Sequence, residues 1–464
     1  MKNLLVKDIL KVTNGKLIIG NENLECENFS KDTRNIHKGD IYLAIKGERF
    51  DGNLFWKDAL QKGANVVIVQ DINFEEEELK QFKDKTIIKV ENTLIALYKI
   101  AAYKRSLYNI PIIAVTGSVG KTSTKDIISS VMSQKYKTLK TEGNNNNNIG
   151  LPFTLLKLRD HEAAVIEMGM NHLGEIELLS NIAKPTMAVI TNIGTSHIGN
   201  LGSRENILKA KLEILTGMQG KKIVINNDND LLHDWNMKDK DNIEVFTYGI
   251  ENKSDIMAKD VNLKENSSEF ICEYKNTKTK IEIPVGGLHF VYNAMCAMAV
   301  GKLNGINDEE IICGIKNFEL TKKRMDIEEL SNGVKIINDT YNASFESMQA
   351  TLKYIGTFTE NRKIAILGDM LELGEFSKEL HEKVGKEVVN NNVDILICAG
   401  KDAKYIAQEA KRQKMNEKNI IYFENKAEIL EYIKKIWKSG DVILFKASNG
   451  MKFFEIVDKL KEVI

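Results

Sequence analysis

The run Thr116-Gly117-Ser118-Val119-Gly120-Lys121-Thr122-Ser123-Thr124, directly behind the apolar residues 111–115, constrains this chain more than any other feature. A buried strand that passes through a glycine turn into a helix start aims backbone N–H groups and one ammonium at a polyphosphate. Apolar residues at helical spacing over 126–132 predict that helix. The glycines let the backbone approach phosphate oxygens, Lys121 reaches the bridging and terminal ones, and the Thr122 hydroxyl suits Mg²⁺. The commoner form of the loop has a further glycine five residues before Gly120, where this chain has Val115. The expectation is a nucleoside triphosphate cradled by residues 116–122.

A chain of 464 residues exceeds one ordinary core. Three domains are expected, over 1–90, 91–318 and 319–464. Lysine plus arginine and aspartate plus glutamate both number 65, so the formal charge is zero. Phosphate-backbone binding wants a basic surplus, which argues against nucleic acid as a partner. No apolar run reaches membrane-spanning length, and the opening Met1 to Val6 stretch, interrupted by Lys7 and Asp8, does not resemble a secretory leader. A cytoplasmic protein is expected. The five cysteines are odd in number and lack any CxxC spacing, so they read as small buried residues.

The fold class reads as α/β. Residues 1–90 mix short strands at 40–45 and 64–69 with turns, and end in an acidic run, Glu75 to Glu78, that reads as a solvated helix face. A helical stretch over 93–108 leads to the phosphate loop. The apolar runs 112–115, 163–166, 187–190 and 222–225 read as buried parallel strands, each followed by polar or glycine residues where an open sheet keeps its ligands. Beyond 319, strands at 334–337, 363–367, 394–398, 420–423 and 442–445 alternate with helical segments such as 378–390 and 427–437, the beat of a doubly wound unit.

Glu167 ends the strand 163–166 and should stand at the ligand edge, where a carboxylate suits Mg²⁺. His197 follows the next strand and is a candidate for metal or phosphate work. Lys211, on a helical segment, reads by chemistry alone as a surface lysine. An ammonium about 4 Å from Mg²⁺ would be repelled by roughly 8 kcal/mol at an effective dielectric of 20, so only a carbamylated lysine could assist a metal there. Arg324 opens the last third, where a guanidinium from another domain can meet charge on a transferring phosphoryl group. Asp339 follows the strand 334–337 and is placed for ligand contact.

Together these strings resemble the Mur ligases, the ATP-dependent amide-bond ligases of peptidoglycan precursor synthesis. TGSVGKTST at 116–124, GNNNNNIGLP at 143–152, IEMGM around Glu167, TNIGTSH ending at His197 and the alanine-lysine pair at Lys211 all fit family segments. The resemblance implies a small mixed α/β N-terminal domain, a central P-loop ATPase-like parallel-sheet domain and a C-terminal Rossmann-like doubly wound domain. It implies Mg²⁺ held by Thr122, Glu167 and His197, with Lys211 carbamylated. GLHFVYNA at 287–294 is similar to the family's GxHNxxNA, which places Asn293 at the adenine, with Phe290 replacing the first asparagine. Arg324 falls on the arginine that engages ATP phosphates, and Asp339 on the acid near the ribose.

DTYNASFESM at 339–348 and LGDMLELG at 367–374 resemble the family member that adds D-alanyl-D-alanine to a UDP-N-acetylmuramoyl-tripeptide. Those two substrates are therefore expected, along with a monomeric enzyme. Asn146, Asn147 and Asn342 are expected at substrate, and Ser30, Arg34, Asp51 and Gly52 near the nucleotide-sugar. Ser344-Phe345 replaces the family's Asn-Pro, and Lys446-Ala447-Ser448-Asn449 departs from its KGSR. The member that adds diaminopimelate carries a DNPR motif in its last domain, which is impossible here because the last proline is Pro284. Folylpolyglutamate synthase would start almost at the phosphate loop. A GTPase-like switch needs an NKxD string, which this sequence lacks.

Overall fold

The computed structural model describes residues 3–47, 50–238 and 242–462; Met1 and Lys2 of the opening stretch lie outside them. The strand Ile112–Thr116 is buried along its whole length, as are its two neighbours, Ala163–Glu167 and Met187–Ile190. Strands covered on both faces are apolar throughout rather than alternating, which is why these runs were readable. All three are parallel, with Glu167 opposite Val115 and Ile190 opposite Thr116. This register brings the phosphate loop, Glu167 and the 191–197 loop out of one carboxyl edge.

The full central sheet has nine strands. Thr138–Lys140 lies at one end; Lys222–Asn226 and Glu244–Gly249 extend the parallel part. The far end is a wing of three strands, Ile256–Leu263, Ser268–Tyr274 and Thr277–Ile283. Its first strand runs parallel to Glu244–Gly249, and the other two are antiparallel. Sequence reading found four strands of this sheet and missed Thr138–Lys140, Glu244–Gly249 and the wing. Its last strand, TKTKIEI, is half solvated, so polar residues dilute the apolar signal. The helix Leu288–Leu303 is apolar on all sides and accordingly buried, packed on the phosphate-loop helix Lys121–Met132.

The N-terminal sheet has five strands, with Lys16–Ile19 antiparallel to Thr86–Lys89 and the others parallel. The acidic run forms the first turn of the helix Glu76–Gln81, with Glu76 and Glu77 exposed. The last sheet has six strands in the order Asp326–Glu329, Lys335–Asn338, Val442–Lys446, Lys363–Gly368, Ile395–Ala399, Ile420–Phe423. Only the first of these is antiparallel. Helices such as Ser377–Asn390 and Ile429–Ile436 return the chain between its parallel strands, the doubly wound pattern expected.

The cysteines form no disulfide, but Cys313 corrects the expectation that all are buried. It lies on the solvent face of the amphipathic helix Asp308–Lys316, whose Ile311, Gly314 and Ile315 face inward.

Candidate active site

Gly117 and Gly120 both adopt positive φ, +148° and +78°. A Cβ on Gly117 would lie 2.0 Å from Thr191 Oγ1, so the loop and the 191–197 segment close on each other only because that position is glycine. The contact is then stitched. Thr191 Oγ1 donates to Val119 O (2.7 Å), Val119 N donates to Asn192 Oδ1 (3.0 Å) and Gly194 N donates to Ser118 Oγ (2.9 Å). Half-buried Lys121 folds over its own loop, donating to Gly117 O (2.9 Å) and Ser118 O (3.2 Å). Desolvation lowers its ammonium to about 8, against the pull of Glu167 and with a push from Arg324.

Thr122 is the meeting point. Its hydroxyl donates to Glu167 Oε2 (2.9 Å) and accepts from Arg324 Nη2 (2.8 Å). The other Glu167 oxygen accepts from Asn146 Nδ2 (2.8 Å). Arg324 stacks on Tyr341, guanidinium carbon 3.8 Å from the ring centroid. Its Nε and the Nδ2 of Asn293 are, among the described residues, the two buried side-chain polar atoms without a partner. Asn293 Oδ1 accepts from Thr124 Oγ1 (2.9 Å) on the phosphate-loop helix, and its Nδ2 is left without a partner.

Lys211 is buried, not the surface lysine its helical setting suggested. Burial sets its pKa well below the ordinary lysine value and Lys121 reinforces this, against Glu167, Glu175 and Glu213. His197 sits at φ +64°, with Nδ1 2.6 Å from Glu372 Oε2 of the last domain. Glu346, from the same domain, accepts from Thr195 N (2.7 Å) and Thr195 Oγ1 (3.1 Å). Asp339 is bonded to Lys446 Nζ and to Thr351 Oγ1 (2.8 Å). Burial raises the Asp339 carboxyl, but Lys446, Thr351 and Arg324 outweigh it and hold the group below its usual range. Beside this pair, desolvation pushes His289 down to about 4, leaving a neutral imidazole at pH 7.

One cavity of ≈660 Å³ lies between the carboxyl edges of the central and last sheets. Its walls include Ser118, Val119, Gly120, Lys121, Glu167 and His197 from the central domain, and Arg324, Asp339, Asn342 and Lys446 from the last. Asn146, Asn147 and Asn293 also line it. Thr116, Gly117, Thr122 and Lys211 stand just behind its wall, with Thr116 Oγ1 donating to Met168 O (2.8 Å). Asn147 Oδ1 additionally accepts from Gly150 N (2.8 Å), at the start of the helix Gly150–Leu156.

Ser30, Arg34, Asp51 and Gly52 are not among those walls. Arg34 is 84% exposed and paired with Asp32. Asp51 caps the short turn Gly52–Phe55, and Gly52 passes within 2.7 Å of Ile45 O at its would-be Cβ. Sequence reading missed Tyr341, His289, Glu346 and Glu372. All four lie inside the strings 287–294, 339–348 and 367–374, but nothing local marks the glutamates' partners, because what they meet is more than 150 residues away in the chain.

A phosphate loop facing a Rossmann-like lobe across a cavity, with an N-terminal α/β domain ahead of both, defines a three-domain nucleotide-dependent enzyme. Residues 27–105 match the profile "Mur ligase family, catalytic domain", 115–301 "Mur ligase middle domain" and 323–449 "Mur ligase, glutamate ligase domain". A UDP-N-acetylmuramoyl-tripeptide--D-alanyl-D-alanine ligase of Bacillus subtilis (strain 168) is 36% identical over 461 residues, 98% of each chain. Crystal structure I of MurF from Acinetobacter baumannii matches with a TM-score of 0.88 at 28% identity, over 100% of this chain and 99% of that one. The MurF ligase of Thermotoga maritima in complex with ADP matches at 0.81 and 28%, over 94% and 97%. The chain belongs to the Mur ligase family.

Proposed function

We propose that this protein joins D-alanyl-D-alanine to a UDP-N-acetylmuramoyl-tripeptide, with ATP converted to ADP and phosphate, as a step of peptidoglycan precursor synthesis. The observation that carries the reading is the convergence of Glu167 and Arg324 on Thr122, beside Lys121, in a chain aligned end to end with relatives of that name. The division of labour is 1–90 for the nucleotide-sugar, with Ser30, Arg34, Asp51 and Gly52 near it, 91–318 for ATP, and 319–464 for closure and the incoming dipeptide. The same reading assigns Asn146, Asn147 and Asn342 to substrate, and Asn293 and Asp339 to adenine and ribose; all five line the cavity.

Among the described residues no three His, Cys, Asp or Glu side chains cluster as a metal cage. The donor set fits Mg²⁺ nonetheless, because that ion takes one or two carboxylates and completes its shell with phosphate oxygens and water. Thr122 and Glu167 supply adjacent oxygens, and His197 lines the same cavity. Mg²⁺ held there would neutralise the phosphate charge. Lys211, a buried amine with a depressed pKa, suits reaction with CO₂, and its carbamate would add a carboxylate-like head behind the loop.

The chain's own groups then act in sequence. Lys121 and the loop amides grip the triphosphate, and Arg324 faces the terminal phosphoryl group from the other domain. A tripeptide carboxylate oxygen attacks the γ-phosphorus as the bond to the bridging oxygen breaks, giving an acyl phosphate and ADP. The neutral amine of the dipeptide attacks the acyl carbon, phosphate leaves, and the amine proton is lost as the amide forms. Domain closure brings the two halves together and excludes water from the acyl phosphate. All of these groups come from one chain, so one protomer holds a complete site, which supports the reading of a monomeric enzyme. No helix among the described residues is long and apolar enough to cross a membrane, consistent with work in the cytoplasm. The test is ADP release from the purified protein: UDP-N-acetylmuramoyl-tripeptide and D-alanyl-D-alanine should stimulate it together. Absence of stimulation with both lysine- and diaminopimelate-containing tripeptides overturns the reading.

A further inference from the structure

Arg324 reaches Thr122 from a linker whose own start is fastened to the same helix. Asp126 lies one turn beyond Thr122 on the helix Lys121–Met132, on the same face. Its buried Oδ2 accepts from both Thr321 N (3.2 Å) and Thr321 Oγ1 (2.8 Å). The segment 321–324 is therefore stapled to one helix face at two points, three residues apart on the linker and four on the helix.

The staple belongs to a closed circuit. Asp126 Oδ1 is 3.0 Å from Lys125 Nζ, which donates to Thr141 O (2.8 Å). Thr141 Oγ1 accepts from Glu167 N (2.9 Å), and Glu167 returns to the Thr122 hydroxyl. Lys125, Asp126, Thr141 and Glu167 are all buried. Lys140 Nζ also faces Asp126, at 3.4 Å. The backbone around the second staple is strained: Lys323 and Met325, on either side of Arg324, have φ of +66° and +49°. Non-glycine residues hold that conformation only where surrounding contacts over-determine it.

We infer that Asp126 is a positioning residue for Arg324: it fixes the linker at Thr321, so that the strained turn delivers the guanidinium to Thr122 in register with Glu167. Asp126 touches no reacting atom. The kinetic part of the test rests on the ligase reading above, and the exchange part does not.

Thr321→Val keeps shape and removes the hydroxyl, whereas Thr321→Ser keeps it. The valine variant should lower kcat about tenfold, with the KM for ATP within about twofold and thermal stability unchanged. The serine variant should retain kcat. Hydrogen exchange over 319–325 in the intact chain should quicken in Asp126→Asn and, less, in Thr321→Val. Wild-type kcat in Thr321→Val, equal losses in the valine and serine variants, or unaltered exchange in Asp126→Asn would each overturn the inference. A wild-type protein with no ligase activity would instead overturn the ligase reading, and exchange at 319–325 would still decide whether Asp126 holds the linker.

Discussion

The Glu372 carboxylate of the last domain lies 2.6 Å from His197 Nδ1 of the central domain, and both residues sit in the left-handed region at φ +64°. The hydrogen bond from His197 holds the Glu372 carboxyl below its usual range. The loop that carries Glu372 is pinned on its own side, with Met370 N donating to His381 Nε2 (3.0 Å) and Leu371 N to Ser448 Oγ (2.9 Å). Gly199 N donates to Glu372 O (3.1 Å), so the seam between the domains is made of backbone as well as side chains. A preorganised loop of this kind can dock in one register only.

That seam can be wedged. A Cβ on Gly199 would stand 2.6 Å from Gly374 N and 2.7 Å from Glu372 O, both backbone atoms that cannot swing aside. Gly199→Ala should leave each domain folded but hold the lobes apart, lowering kcat about a hundredfold with little change in ADP affinity. Scattering from the substrate-bound protein should report a more open shape. Wild-type kcat in this variant would mean that docking at Gly199 is not required.

Nucleotide binding should take up a proton. With Lys121 lowered to about 8, the free protein carries that group partly neutral at mildly alkaline pH. Bound phosphate favours the ammonium, so roughly half a proton should enter per nucleotide at pH 8. Calorimetry of ADP binding in two buffers of different ionisation heat measures it, and Lys121→Arg should abolish it. The same depression means the unfolded chain binds more protons between pH 8 and about 10.5, so this lysine's penalty on stability is full below pH 8 and fades as pH rises through that window.

Lys211→Ala should remove most ligase activity, and short-chain carboxylates added to the assay should partly restore it. Labelled bicarbonate should give a carbamate ¹³C signal in the wild type that is absent from the variant. Full activity in Lys211→Ala, or no signal in the wild type, would dismiss the carbamate.

Asn293→Ala removes the orphaned Nδ2 donor. A hydrogen bond made equally in the ground and transition states affects KM alone, so the KM for ATP should rise about tenfold with kcat nearly unchanged. Steady-state kinetics with ATP and GTP, compared across both proteins, should show the base preference shrinking. An unchanged preference would place the adenine elsewhere.

Much of the architecture was legible because its signals are short-range. Runs such as 112–115 and 187–190 are apolar on both faces, and glycine turns follow them. The antiparallel wing was not, since a strand solvated on one face has a diluted pattern. Lys211 shows the limit most clearly: its neighbours on the helix Arg204–Leu212 read as a surface face, and only packing within the central domain buries it.

What the residues determined unaided is the chemistry of the phosphate loop, the alternation of the last domain and the strings that mark the family. Only the folded chain decided that Thr122 meets Arg324 from 202 positions away, and that His197 meets Glu372 from 175. Propensity and periodicity act over a few residues, whereas such contacts form where two separately folded sheets turn their carboxyl edges toward one cavity, and no local pattern encodes that approach.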